Sequence, residues 1–166
     1  MSSDDRTGEL RGGEPRGDGS PPVTPRLLDR MRGSGRDRTP ETVMSELEAV
    51  LHETDVDRDS TAIGEEIVTH SLDELLLALI ALRDDGTHGT GLMEDMATLF
   101  DVKPSPGTVY PRLHDLEETG VLTRHDLVQT KQYAIADDDA VRSTLEDAMY
   151  QHLTVGLFLH AALDAV

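Results

Sequence analysis

The residues in this sequence best suited to chemistry are a few basic side chains that lie close together along the chain. Lys103, Arg112, Arg124 and Lys131 fall within 29 residues that also hold four carboxylates, so this stretch has no net charge. Elsewhere after residue 38 the chain has three basic and 22 acidic residues. Ammonium and guanidinium groups bind phosphates, and a guanidinium also matches the O6/N7 acceptor pair of guanine. Four basic residues in 29 are also common on an ordinary protein surface. The predicted helices and strands that carry these residues therefore decide between a nucleic-acid-binding surface and ordinary surface charge.

The sequence lacks the residues that catalytic and metal-binding sites need. The chain has no Cys, which excludes disulfides, Cys-ligated zinc and thiol catalysis. The seven His show no HxxxH-type pairing, so no metal site is expected. No GxSxG motif or catalytic carboxylate pair is recognisable, and the Gly-rich residues 86–91 depart from GxGxxG and predict a turn. The sequence therefore predicts neither an enzyme nor a bound cofactor.

The composition is strongly acidic. The formal net charge is -18, from 15 Lys plus Arg against 33 Asp plus Glu, and only two of the basic residues are Lys. Short, strongly hydrated carboxylates in place of lysines resemble the surface of a salt-adapted protein. The longest apolar run, residues 75–82, is far below the roughly 18–20 residues that span a bilayer, and no secretory signal is visible. We therefore expect a cytoplasmic protein of a salt-adapted microbe, with no membrane partner.

The N-terminal part of the chain predicts little folded structure. Residues 1–38 carry several Gly, Arg and Pro without a periodic apolar pattern, which predicts a disordered arm. Residues 39–70 predict an extension with a helix near 40–52. That helix would begin at Thr39-Pro40, because Thr is a capping residue and Pro fits the first helical position.

Two helices are predicted between residues 71 and 100. A capping box formed by Ser71 and Glu74 predicts the start of the first helix. Its body, residues 75–82, is apolar on every face, so a large core or a second subunit must cover it. Residues 90–100 predict the second helix, and Pro104 prevents it from continuing because proline disfavours helix at the preceding residue, Lys103.

A third helix and a hairpin follow directly. Ser105-Pro106 predicts the cap and first position of the helix, and Gly120 predicts its end. Its buried stripe would be Val109, Leu113 and Leu116. Two short extended runs, 121–127 and 131–136, predict a hairpin. The apolar spacing from Asp138 onward predicts one long final helix.

This order of elements predicts a mainly α fold: a winged helix-turn-helix over residues 71–137, with a two-stranded wing, followed by a dimerisation helix over 138–166. The stretch Ser105-Pro-Gly-Thr-Val-Tyr110-Pro-Arg-Leu-His-Asp-Leu-Glu-Glu-Thr-Gly120-Val-Leu resembles the recognition-helix signature of the PadR family of transcriptional regulators. His88-Gly89, Gly91-Leu92 and Leu72-Asp-Glu-Leu75 are similar to its first two helices. The hairpin departs from the family, whose wings commonly have a Gly/Arg/Lys-rich tip, since it reads Asp126-Leu-Val-Gln-Thr-Lys-Gln-Tyr133.

The resemblance implies a homodimer in which the C-terminal helix packs against the first helix of the partner subunit. That packing would cover the apolar run at 75–82. The candidate interface residues are Leu75, Leu79, Leu82, Leu145, Met149, Leu153 and Leu157. Some members of the family bind aromatic or drug-like molecules between the dimer helices, but nothing in this sequence identifies an effector.

The third helix has an exposed face that suits double-stranded DNA. Helical spacing places Thr108 and Arg112 away from the buried stripe, and Arg112 is the best candidate to bind a guanine edge. The Ser105 hydroxyl and the free backbone donors beside it suit a phosphate. Tyr110 would either donate its hydroxyl to a phosphate or fill the gap beneath the wing. Further candidates for phosphate contact are Lys103, Arg124, His125 and Lys131.

The sequence thus predicts a dimeric, sequence-specific DNA-binding regulator, a repressor by family resemblance. The alternative is a winged-helix protein-interaction module that has lost DNA binding and docks a partner through its acidic surface and the 40–52 helix.

Overall fold

A computed structural model gives the arrangement of these elements and describes residues 38–52, 63–83, 85–128 and 130–163. The predicted arm lies outside these ranges except for Arg38, which forms an ion pair with Glu46. The helices and strands within them are α1 Pro40–His52, α2 Glu65–His70, α3 Leu72–Ala81, β1 Thr87–His88, α4 Gly89–Phe100, α5 Pro106–Glu118, β2 Leu122–Asp126, β3 Lys131–Ile135 and α6 Asp138–Leu163.

The strands form one antiparallel sheet in the order β1-β3-β2. In the hairpin, Arg124 lies opposite Tyr133 and His125 lies opposite Gln132. The sheet has one more strand than predicted, because Thr87 also lies opposite Tyr133 and adds β1 to the free edge of β3. A two-residue strand is too short to produce an alternating pattern, so its segment was predicted only as a turn.

The core lies where α3, α4 and α5 meet the sheet and the start of α6. Leu76, Leu92, Met96, Val109 and Leu113 have no solvent exposure. Leu79 is also buried, at 3% exposure. The domain's own helices and sheet therefore cover most of α3, so the prediction that a second subunit covers Leu79 is wrong, whereas Leu75 and Leu82 stay partly exposed.

The capping box predicted at the start of α3 does not form. Helix α2 ends at the preceding residue, and the Ser71 backbone N–H, which Glu74 would have accepted, already donates to the carbonyl oxygen of Ile67 at 3.0 Å. The Ser71 hydroxyl instead lies 3.1 Å from His152 Nε2. Ser71 therefore connects the start of α3 to α6.

Helix α5 begins and ends where its sequence signals predict. Ser105 occupies the N-cap with an extended backbone, and Pro106 is the first helical residue. The Ser105 hydroxyl contacts the Thr108 hydroxyl at 2.9 Å and caps no backbone group. Gly120 has a φ of +78°, which only glycine adopts readily, and it turns the chain from the helix into β2.

Helix α6 has a buried beginning and an exposed end. Val141 is buried and Leu145 packs against the core, whereas every residue from 154 to 163 is exposed. Its exposed apolar side chains are Met149, Tyr150, Val155, Leu157, Phe158, Leu159 and Leu163. None of the described helices combines the length and the apolar character that a membrane span needs.

Candidate nucleic-acid interface

The buried stripe of α5 decides which side chains the helix presents. Val109 and Leu113 point into the core, so one flank of the helix faces the start of α3 and the other faces the hairpin. Arg112 lies on the first flank, where it contacts Asp73. Tyr110 and His114 lie on the second flank, in the wall of a groove beside the hairpin.

Arg112 is held loosely by a carboxylate of another helix. Its Nη1 atom lies 3.4 Å from Oδ2 of Asp73, and half of its side chain remains exposed. The other oxygen of Asp73, Oδ1, is buried without a hydrogen-bond partner among the described residues. Burial raises the pKa of Asp73, and the neighbouring Arg112 opposes that shift. The candidate base-reading side chain therefore has a partner before any nucleic acid binds.

Arg124 is held more firmly and joins the wing to α5. Its Nη1 atom lies 2.7 Å from Oε2 of Glu117, and its Nε atom lies 3.2 Å from Oδ1 of Asp126. Across the hairpin it lies opposite Tyr133 on the same face of the sheet. Burial raises the pKa of Tyr133, and the Arg124 charge partly opposes that shift. Arg124 therefore links β2 to α5 through Glu117.

The remaining candidate contacts do not all lie on one surface. Side chains alternate along a strand, so His125 lies on the opposite face of the hairpin from Arg124. Lys131 is exposed at the start of β3, and Lys103 is exposed before α5. Among the described residues, neither lysine has a carboxylate within 4.0 Å.

The groove between α5 and the hairpin has a volume of about 1060 Å³. Of the predicted contact residues, it brings together Tyr110, Arg124 and Lys131. It does not include Lys103, Ser105, Thr108, Arg112 or His125. Two of the latter, Ser105 and Thr108, contact each other at the exposed start of α5.

Tyr110 lies in the wall of the groove, with its ring against the start of α4. Its ring packs directly on Gly89, where a Cβ atom would lie 2.6 Å from Tyr110 Cε1. The ring is still partly exposed to the groove. Gly89 is therefore required for this close approach between α4 and α5.

The groove also contains two histidines that were not predicted to be site residues. His114 is exposed, and its ring nitrogens lie 3.7 Å from Glu117 Oε2 and 3.5 Å from Glu118 Oε1. His88 lies in β1, where its Nδ1 atom is 3.2 Å from the carbonyl oxygen of Lys131. The spacing of four residues from Tyr110 could have identified His114, because positions i and i+4 share a helix face. No sequence signal places His88 beside the hairpin.

Helices α3, α4 and α5 and the hairpin form a winged helix-turn-helix. Residues 76–139 match the model of the transcriptional regulator PadR-like family. A solved transcriptional regulator from Clostridium thermocellum has the same fold, with a TM-score of 0.50 and 14% identity, over 60% of this chain and 97% of that one. The predicted fold class and the resemblance to the PadR-like family are therefore confirmed, the latter over residues 76–139.

Two curated relatives are named transcriptional activators. The chain is 43% identical over 101 residues to the transcriptional activator GvpE of Haloferax mediterranei and 40% identical to the transcriptional activator GvpE1 of Halobacterium salinarum. Both alignments cover 61% of this chain and 52% of the relative, so the chain spans about half the length of the curated relatives it matches. The family and these relatives are regulators of transcription and not enzymes. Because these relatives are named activators, the expected repressor role is not confirmed.

The contact between Gly89 and Tyr110 generates a stability prediction. Gly89→Ala should lower the free energy of unfolding by about 1–3 kcal/mol, because the new methyl group overlaps the ring. Denaturant unfolding at molar KCl measures this change. Gly107→Ala is the matched control, since the nearest atom to its new Cβ is 3.7 Å away, and it should be neutral or slightly stabilising. Equal stabilities for the two variants would contradict the proposed packing.

Proposed function

We propose that this protein is a sequence-specific DNA-binding regulator of transcription that acts as a homodimer in a high-salt cytoplasm. The observation that carries the proposal is the placement of α5, which the core holds with an exposed face between Arg112 and the wing. In helix-turn-helix proteins the second helix of the motif, which corresponds to α5 here, enters the major groove. The match of residues 76–139 to a family of transcriptional regulators supports the same conclusion.

The proposed contacts divide into two groups. Lys103, Ser105 and Thr108 surround the exposed start of α5, where backbone donors and a hydroxyl suit a phosphate. Arg112 lies two turns into the helix and is the one arginine of α5, so it is assigned to a guanine edge. On the wing, Lys131 and His125 are exposed and would contact the DNA backbone.

The sign of regulation is proposed from the relatives. GvpE and GvpE1 are named transcriptional activators, which favours activation over the repression implied by the wider family resemblance.

The homodimer is proposed from the exposed end of α6. Clusters of exposed apolar side chains commonly mark an interaction site. The helix leaves the core after about residue 153 and carries Leu157, Phe158 and Leu159 in exposed positions. A second copy can bury the same surface by two-fold pairing. Of the predicted interface residues, Met149, Leu153 and Leu157 suit this seam, whereas Leu79 is already buried in its own subunit.

The role of Arg112 can be tested with a duplex that the protein selects from a random library at molar KCl. Arg112→Ala should lose ~1–3 kcal/mol of binding free energy and relax the preference at one base position. Lys103→Ala should weaken binding to all sequences alike, because a phosphate contact carries no base information. Fluorescence anisotropy on the selected duplex and on single-base variants separates these outcomes. Equal small losses for both variants would mean that α5 contacts only the backbone.

The charge distribution predicts an unusual salt response. Ordinary basic binders lose affinity by orders of magnitude as salt rises, because they release condensed counterions from the phosphates. Here few basic side chains would contact the DNA, and the acidic surface repels phosphates at low salt. At 1 M salt the Debye length shrinks to ~3 Å, so this repulsion is screened. Specific binding should therefore be flat or should rise between ~0.2 and ~2 M KCl. Calorimetric titration, with folding confirmed at each salt, measures it; a steep monotonic loss would contradict the account.

The dimer prediction uses the exposed end of α6. Leu157→Asp should convert the dimer to a monomer in sedimentation experiments at molar KCl, since an unpaired buried carboxylate costs several kcal/mol. Because Leu157 is exposed within one subunit, the variant should keep its fold. Gln151→Asp adds the same charge at an exposed polar position of α6 and should remain dimeric. A wild-type protein that is monomeric at micromolar concentration would remove the argument.

A further inference from the structure

Arg112 on α5 and Arg124 on β2 differ in how tightly carboxylates of the same subunit hold them. Arg124 is 28% exposed and lies between two carboxylates, with the nearer one, Glu117, at 2.7 Å. Arg112 is 51% exposed, and among the described residues it has one carboxylate within 4.0 Å, that of Asp73, at the longer distance of 3.4 Å. Arg124 is thus built into the wing, whereas Arg112 can leave its partner without breaking any other contact described here.

We propose that Asp73 is an internal competitor of DNA, which holds Arg112 against α3 in the free protein and releases it to the duplex. This inference rests on the proposed DNA-binding function. A phosphate or base edge must displace the carboxylate before Arg112 can bind it. Asp73 thereby acts as a positioning residue, and the competition lowers affinity most where charges are least screened.

The surroundings of Asp73 suit an exchangeable partner better than a structural ion pair. Only Oδ2 contacts Arg112, while Oδ1 is buried without a hydrogen-bond partner among the described residues, so the pair lacks the two parallel hydrogen bonds of a strong arginine–carboxylate contact. Asp73 belongs to α3 and Arg112 to α5, so the guanidinium can swing away without unwinding either helix.

Salt acts on this exchange in a defined direction. When Arg112 leaves, Asp73 faces the nearby charges of Glu74 and Asp115 without a cation. Molar potassium screens that repulsion and can supply the missing counterion, so release of Arg112 becomes easier as salt rises. The exchange of Arg112 between Asp73 and DNA therefore opposes the usual fall in affinity with rising salt, which arises because binding releases DNA counterions.

The test measures the dissociation constant of the wild type and of Asp73→Asn for one duplex, selected from a random library by the wild type at 2 M KCl. At ~0.2 M KCl, Asp73→Asn should bind about threefold to fivefold tighter than the wild type, the range expected for losing one exposed ion pair. At ~2 M KCl the two proteins should agree within about twofold. The slope of log affinity against log salt should become more negative by up to about 0.9. In the wild type, the freed Asp73 carboxylate takes up a potassium ion and offsets one released DNA counterion, and the variant lacks this uptake.

Two controls separate competition from general charge effects. Asp147→Asn removes an equal charge from an exposed position of α6 and should leave the salt profile unchanged. In an Arg112→Ala background, Asp73→Asn should no longer increase affinity, because the guanidinium for which Asp73 and DNA compete is absent. Asp73→Ser provides a second uncharged variant with the same expected profile, so that the test does not depend on the fold of one protein.

Several results would overturn the inference. Equal salt profiles for wild type and both Asp73 variants would exclude competition, and an equal gain from Asp147→Asn would assign the effect to net charge. Weaker binding by both Asp73 variants at every salt, with lower thermal stability, would assign Asp73 a structural role. A folded, dimeric wild type that selects no duplex would instead contradict the proposed function itself.

Discussion

The arrangement of this protein depends on the seating of α5, which two fully buried side chains, Val109 and Leu113, hold against the core. Because residues on a helix are separated by fixed rotations, this seating determines the direction of every other side chain on α5. It places Arg112 beside the start of α3, and it places Tyr110 and His114 beside the hairpin. The contact between the Tyr110 ring and Gly89 then sets how closely α4 approaches α5.

The second constraint is the scarcity of positive charge. Most proteins that bind nucleic acid surround the interface with lysines and arginines, but only seven basic residues follow residue 38 in this sequence. Four of them occur in the segment that contains α5 and the wing, and the two arginines among these contact carboxylates. The proposed interface therefore relies on a few basic side chains. Its affinity for DNA would depend on whether each of them contacts a carboxylate of the protein or the DNA.

The sequence predicts local elements well where the signal is itself local. Ser105, Pro106 and Gly120 mark the ends of α5, and apolar spacing identifies the buried stripe, because capping and backbone preferences act within a few residues. The capping box at Ser71 fails because α2 ends at the preceding residue and its last turn already accepts the Ser71 N–H. The strand β1 escapes detection because its two residues are ordered by pairing with a strand more than forty positions away.

Tertiary contacts account for the remaining differences at the site. Helical spacing predicts that Arg112 leaves the core, but it contains no information on Asp73, which lies 39 positions earlier and on another helix. The cover of Leu79 is similarly a property of packing, since an all-apolar helix fits equally a domain core and a subunit interface. The motif resemblance carries the class of protein, while the direction of each cation depends on the folded arrangement.

The most direct test of a sequence-specific DNA-binding regulator is genome-wide recovery of the DNA bound to this protein in cells, crosslinked at native salt. A homodimeric regulator should enrich discrete sites in promoter regions that share a two-fold symmetric sequence, and the Arg112→Ala protein expressed at the same level should lose that enrichment. Recovery of DNA without a shared sequence, or equal enrichment for both proteins, would contradict this expectation.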